Sequence, residues 1–182
     1  MLRSRPNRGF TLLEALIAST LAAMLMLAIL SSYIFLGRNL TRLANLQIVE
    51  AKSRIAHGLL TRDFQRASAV GSATSAGVTL TVPGGTVTYT YTYPTLNRVS
   101  TVASDAFANA DLFGGDCTAF SFSYYSTTGA TALSGTIVPL SVKRIGVSFT
   151  VEGGSTAVGT WVSHQTVSAR VLLRNKALPT GP

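Results

Sequence analysis

The feature that most constrains this chain is one carboxylate, Glu14, set inside a run that is otherwise uncharged from Phe10 to Leu36. A helix of about 27 residues at about 1.5 Å each reaches roughly 40 Å, more than the roughly 30 Å hydrocarbon core of a bilayer. The run therefore predicts a transmembrane helix. An ionised group at membrane depth costs about 2.5 to 3.5 kcal/mol even on insertion scales, so Glu14 should have a partner and marks a function. Arg3, Arg5 and Arg8 precede the run, and no acidic residue comes before Glu14. This bias places the N-terminus in the cytoplasm and the bulk of the chain outside. An ordinary secretory signal fits less well: the apolar run is about twice the usual 7 to 15 residues, carries Glu14, and has no A-x-A-like site before Gly37. A plain single-pass anchor leaves the junction of Gly9 with the apolar run unexplained.

That junction, Gly9-Phe10-Thr11-Leu12-Leu13-Glu14-Ala15-Leu16-Ile17-Ala18, resembles the class III signal of type IV pilins and type II secretion pseudopilins. The resemblance implies cleavage between Gly9 and Phe10 by a cytoplasm-facing prepilin peptidase, N-methylation of Phe10, and an assembly role for Glu14 as the fifth residue of the mature chain. It also implies as partners other pilin or pseudopilin subunits and an inner-membrane assembly platform. The chemistry is consistent with this. Glycine lacks a Cβ, so the backbone before the scissile bond can lie extended against a protease. Cutting there creates an ammonium at Phe10, and Glu14 lies about one turn on, at the positive end of the helix dipole. A neighbouring subunit's ammonium would neutralise Glu14 where the dielectric is low, making the carboxylate a register pin for stacked helices.

The chain has 182 residues and a formal charge of +8; loss of residues 1–9, with three arginines, lowers this to +5. Beyond the membrane segment, Leu40, Ala44, Ile48, Ala51, Ile55 and Leu59 recur at the spacing of a helix with one buried stripe. With no proline between Pro6 and Pro83, one helix is expected from Phe10 to about Ala67, ending near Gly71, with Gly37 and Gly58 as soft points. From Val78 the period changes to two. Val78–Val82, the turn Pro83-Gly84-Gly85 and Thr86–Tyr93 read as a hairpin with Val87, Tyr89, Tyr91 and Tyr93 on one face. Further strands are expected at Arg98–Val102, Ala119–Tyr125 with Phe120, Phe122 and Tyr124 together, Ser141–Val151 with Ile145, Val147, Phe149 and Val151 inward, and Trp161–Leu173. The pattern predicts an α+β fold, a long N-terminal helix packed on an antiparallel head. The expected organisation is a leader over 1–9, a transmembrane helix over 10–36, its exposed continuation over 37–70 and a β-rich head over 71–182.

Arg62-Asp63-Phe64-Gln65-Arg66-Ala67, Tyr124-Tyr125, Lys143-Arg144-Ile145 and Val171-Leu172-Leu173-Arg174-Asn175 are similar to the J-type minor pseudopilins and related larger minor pilins. Many major pilins carry a helix-bending proline in the membrane segment and a disulfide-closed C-terminal loop; this chain has neither, with Cys117 its one cysteine.

Catalytic motifs are not apparent: there is no phosphate loop and no G-x-S-x-G elbow. No enzyme activity and no cofactor are expected. His57 and His164 lack companions at metal-ligand spacing, and Cys117 reads as a small buried residue. Asp105, Asp111 and Asp116 share one predicted loop, where calcium is conceivable, although the spacing matches no known calcium loop. The tyrosine stripe and the basic residues between Arg38 and Arg66 invite a nucleic-acid reading. Alternation on a sheet face and attraction of the stem to lipid and neighbouring subunits account for them better. Two classes of function remain. One is a structural subunit of an inner-membrane-assembled filament, acting in the periplasm or at the surface. The other is a tip subunit whose head captures DNA, a surface or a secretion substrate.

Overall fold

The computed structural model describes residues 11–127, 129–153 and 162–177. Arg3, Arg5, Arg8 and Gly9 of the expected leader, together with Phe10 and Trp161, lie outside them. Within that frame the protein is α+β: one helix, α1 (Leu12–Arg66), followed by eight antiparallel strands. Two compact units divide the chain, Met1–Leu43 and Ala44–Pro182.

In the first unit, every described residue before Asn39 is exposed, including Leu12, Leu16, Leu21, Met24, Leu25, Ile29 and Phe35. This part of α1 is apolar all round, as a lipid-facing helix is. Three of its hydroxyls bond within the helix: Ser19 donates to the Leu16 carbonyl (2.9 Å), Thr20 to Ile17 (2.9 Å) and Ser32 to Ala28 (3.0 Å). No side-chain hydroxyl of these three therefore requires water, which suits hydrocarbon.

The second unit holds the core. One sheet has the order β1-β2-β3-β4-β5, from β1 (Ala69–Ala73), β2 (Gly77–Val82), β3 (Gly85–Thr92), β4 (Thr95–Ser100) and β5 (Asn109–Asp111). The other has the order β6-β7-β8, from β6 (Cys117–Tyr125), β7 (Arg144–Gly153) and β8 (Ser163–Leu172). The expected β2–β3 hairpin is present in register, Val82 opposite Gly85 and Val78 opposite Tyr89. Ile145, Val147, Phe149 and Val151 point inward, with Phe122 and Tyr124 buried and Phe120 partly so. The C-terminal turns of α1 pack Phe64 edge-on against Tyr89 and Phe122, with ring centroids 6.2 and 6.3 Å apart.

Three expectations are corrected. The buried stripe of α1 is not Leu40-Ala44-Ile48-Ala51-Ile55: Leu40, Ile48 and Ile55 are 58%, 51% and 56% exposed. The buried residues are Val49, Ser53, Ala56, Leu59, Leu60, Asp63 and Phe64, so only Leu59 was placed correctly. Both stripes have helical spacing; the head buries the one whose Val49 fits against Gly153 of β7. At Gly153 an added Cβ would lie 2.2 Å from Val49 Cγ2 and 3.3 Å from the Asn45 carbonyl oxygen. Second, β1 and β5 appear where no strand was expected, because β1 (AVGSA) has one β-branched residue and β5 (NAD) has none. Third, β6 starts two residues early, at Cys117, and two strand starts move by three residues. β4 begins at Thr95 because Tyr93-Pro94 forms the turn that pairs Thr92 with Thr95. β7 begins at Arg144 because Pro139 opens a short 3-10 turn, Pro139–Ser141.

Candidate assembly site at the helix start

The chain enters α1 through Thr11-Leu12-Leu13-Glu14. One oxygen of Glu14, Oε2, accepts hydrogen bonds from the Thr11 backbone N–H (3.0 Å) and the Thr11 hydroxyl (3.0 Å). In return, the Glu14 backbone N–H donates to Thr11 Oγ1 (3.3 Å). Two amides that a helix start leaves unsatisfied are thereby paired, the reciprocal arrangement of a capping box. The T-x-x-E spacing before an apolar run was available in the sequence as a sign of this, so Thr11 is a site residue that sequence reasoning missed. Both partners bond Oε2, and among the described residues nothing bonds Oε1. The carboxylate is thus oriented by its own chain, with one oxygen left to face a cation from outside it.

Other candidates are dispersed. Asp105 lies in the β4–β5 loop, Asp111 on β5 and Asp116 before β6, not in one loop. Asp105 bonds Arg98; Asp111 Oδ1 accepts the backbone N–H groups of Leu96 (3.3 Å) and Phe113 (3.1 Å); Asp116 pairs with Lys52 Nζ. Among the described residues no group of three His, Cys, Asp or Glu comes together to hold a metal. His57 is partly buried on α1, and His164 Nδ1 lies 3.0 Å from Glu152 across β7 and β8. Burial pushes the Cys117 thiol up to about 11, which keeps it protonated and inert. Of the tyrosine stripe, Tyr89 is buried, the Tyr91 hydroxyl donates to the Cys117 carbonyl (3.2 Å), and Tyr93 alone stands exposed, in a turn.

A polar cluster that the sequence did not disclose joins the end of α1 to the head. Arg98, 1% exposed on β4, donates Nε to Asp63 Oδ2 (2.8 Å) and Nη2 to Asp105 Oδ2 (2.5 Å). Tyr89 donates its hydroxyl to Asp63 Oδ2 (2.7 Å), while Arg62 Nε donates to Asp63 Oδ1 (3.0 Å). For Asp105, burial acts to raise the pKa, but the bonds from Arg98 and the Phe107 N–H outweigh it and hold the carboxyl at about 2. Burial foremost, then the Asp63 carboxylate, pushes the Tyr89 phenol upward. Each charge has an opposite partner, which is the condition for tolerating charge in a core.

Residues 4–30 match the family of the prokaryotic N-terminal methylation motif. No curated protein and no solved structure matches the chain. The match runs through Gly9, Phe10, Thr11 and Glu14 and into the exposed apolar part of α1. The chain therefore carries the class III signal of type IV pilins and pseudopilins.

Proposed function

We propose that the chain is a minor pilin or pseudopilin, a structural subunit of a type IV pilus or type II secretion filament. In this reading prepilin peptidase cuts between Gly9 and Phe10, Phe10 is N-methylated, and the apolar part of α1 holds the subunit in the inner membrane with its head exported. Glu14 then offers Oε1 to the N-terminal ammonium of a neighbouring subunit. The observation that carries the proposal is that the methylation motif coincides with the start of an exposed apolar helix whose first turn orients a carboxylate. The absence of a disulfide-closed loop, with Cys117 the one cysteine, favours a minor over a major subunit.

A tip-located binding role is the second reading. Glu14 favours a position beneath other subunits, since a subunit at the extreme tip has no neighbour above whose ammonium it must meet. The test is intact-mass and N-terminal analysis of membrane-extracted protein from a host with active prepilin peptidase. The expected product lacks residues 1–9 and carries one added methyl group, and Gly9→Val prevents both changes. Retention of residues 1–9 in the unaltered chain overturns the proposal.

A further inference from the structure

On the outer face of β6–β7–β8, Arg170 lies with its guanidinium carbon 4.0 Å from the Tyr125 ring centroid and donates Nη2 to the Tyr125 hydroxyl (3.1 Å). Arg144 lies 6.0 Å from the same ring, its Nη2 held by the carbonyls of Ser126 and Gly129 and its buried Nε without a partner among the described residues. Two guanidiniums thus flank one phenol. The ring contact and the bond to the hydroxyl restrain the guanidinium of Arg170 while the residue stays exposed.

No acidic side chain answers them among the described residues, which include every Asp and Glu of the chain. All seven acidic side chains are engaged elsewhere: Glu14 at Thr11, Asp111 at backbone amides, and the other five at Arg54, Lys52, His164 or the Arg98 cluster. Arg170 borders a depression of about 290 Å³ lined also by Ser123, Tyr125, Gly146, Ser148 and Ser168. Gly146 keeps it open, since a Cβ there would lie 3.0 Å from the Tyr125 ring and 3.4 Å from Ser123 Cβ. Paired hydroxyls continue along the face, Ser148 with Ser168 (3.0 Å) and Thr150 with Thr166 (2.9 Å). Each hydroxyl has further donor or acceptor capacity.

We propose that this face binds an acidic polysaccharide, with one uronate carboxylate on the Arg170 fork and sugar hydroxyls along the serine and threonine pairs. A preorganised arginine without an acid of its own suits a bidentate carboxylate. The hydroxyl rows suit a polyhydroxylated chain rather than a peptide with apolar anchors. Single-stranded nucleic acid needs aromatic platforms, and among the described residues of this face no phenyl or phenol ring is exposed, Tyr125 lying buried beneath Arg170. The inference is independent of filament assembly, because an unincorporated subunit would retain the face.

The test is titration calorimetry of the full chain in detergent with trigalacturonate at low salt. Saturable binding is expected, at least about tenfold tighter than to neutral maltotriose, the worth of one charge-assisted pair. Arg170→Gln should lose at least about tenfold, and Arg170→Lys, which keeps the charge without the fork, should lose part of that. Arg54→Gln, an equal charge change on α1, should leave affinity unchanged. The proposal is overturned if the unaltered chain does not bind saturably, or if Arg54→Gln weakens binding as much as Arg170→Gln. It is equally overturned if polyglutamate or an oligothymidylate binds more tightly than trigalacturonate in an Arg170-dependent way.

Discussion

Glu14 and Thr11 illustrate how one side chain can serve a helix and a neighbour at once. Of the two carboxylate oxygens the capping box uses Oε2 alone, so Glu14→Ala removes the carboxylate half of the box and the external acceptor but keeps the Thr11 hydroxyl on the residue-14 amide, whereas Thr11→Val removes the hydroxyl contacts but leaves the carboxylate. Both variants should insert and be cleaved. Glu14→Ala should fail to co-purify with filament, while Thr11→Val should incorporate at a reduced level, an N-cap hydroxyl being worth about 1 kcal/mol. Wild-type incorporation of Glu14→Ala, read by immunoblot of sheared or extracted filaments, contradicts the assembly role. In the buried cluster, Asp63→Asn leaves Arg98 with Asp105 as its one acidic partner at 1% exposure, and breaking such a pair costs about 3–5 kcal/mol. Urea unfolding should report that loss. Asp105 adds a pH dependence: its carboxyl is held at about 2 when folded, below about 3.9 in an unfolded chain. Its contribution is therefore complete above about pH 4 and disappears as pH falls through about 2, a slope that Asp105→Asn should remove.

At the scale of elements, α1 shows what a periodic pattern does and does not determine. The span from Phe10 to about Ala67 was readable because no proline interrupts it and the apolar spacing never lapses, and the helix indeed runs Leu12–Arg66. Which stripe is buried was not readable, because Leu40-Ile48-Ile55 and Val49-Ala56-Leu60 are equally helical; the choice depends on Gly153, more than a hundred residues away in sequence. Likewise nothing in the sequence marks Arg98 as a buried residue; folding places Asp63 and Asp105 beside it. Strands with alternating β-branched or aromatic residues, such as β3 and β7, were legible, whereas β1 and β5 owe their state to pairing with β2 and β4. The contrast yields a paired prediction. Gly153→Ala forces a methyl into Val49 and should destabilise the head by about 1–3 kcal/mol. Ile48→Ser together with Ile55→Ser, on the exposed stripe, should leave its urea midpoint nearly unchanged. Equal effects from both would mean that the buried face has been misassigned.

For the whole molecule, the hydrophobic core begins at Val49 and ends at Leu173, entirely within Ala44–Pro182. The described apolar residues before it are exposed and lie outside that core, the pattern of a lipid-facing segment. A chain starting at Ala44 should consequently be soluble and monomeric at low concentration, and should unfold in one cooperative transition with mixed helical and sheet circular dichroism. A chain starting at Ser68 keeps every strand but lacks Ala56, Leu60, Asp63, Phe64 and Ala67. It uncovers the aromatic centre around Tyr89 and Phe122 and deprives Arg98 of one of its two carboxylates. That chain should aggregate or remain without a cooperative transition. If instead it folds as stably as the longer one, the final turns of α1 are dispensable to the head, and the α+β unit described here is a β domain with an appended helix.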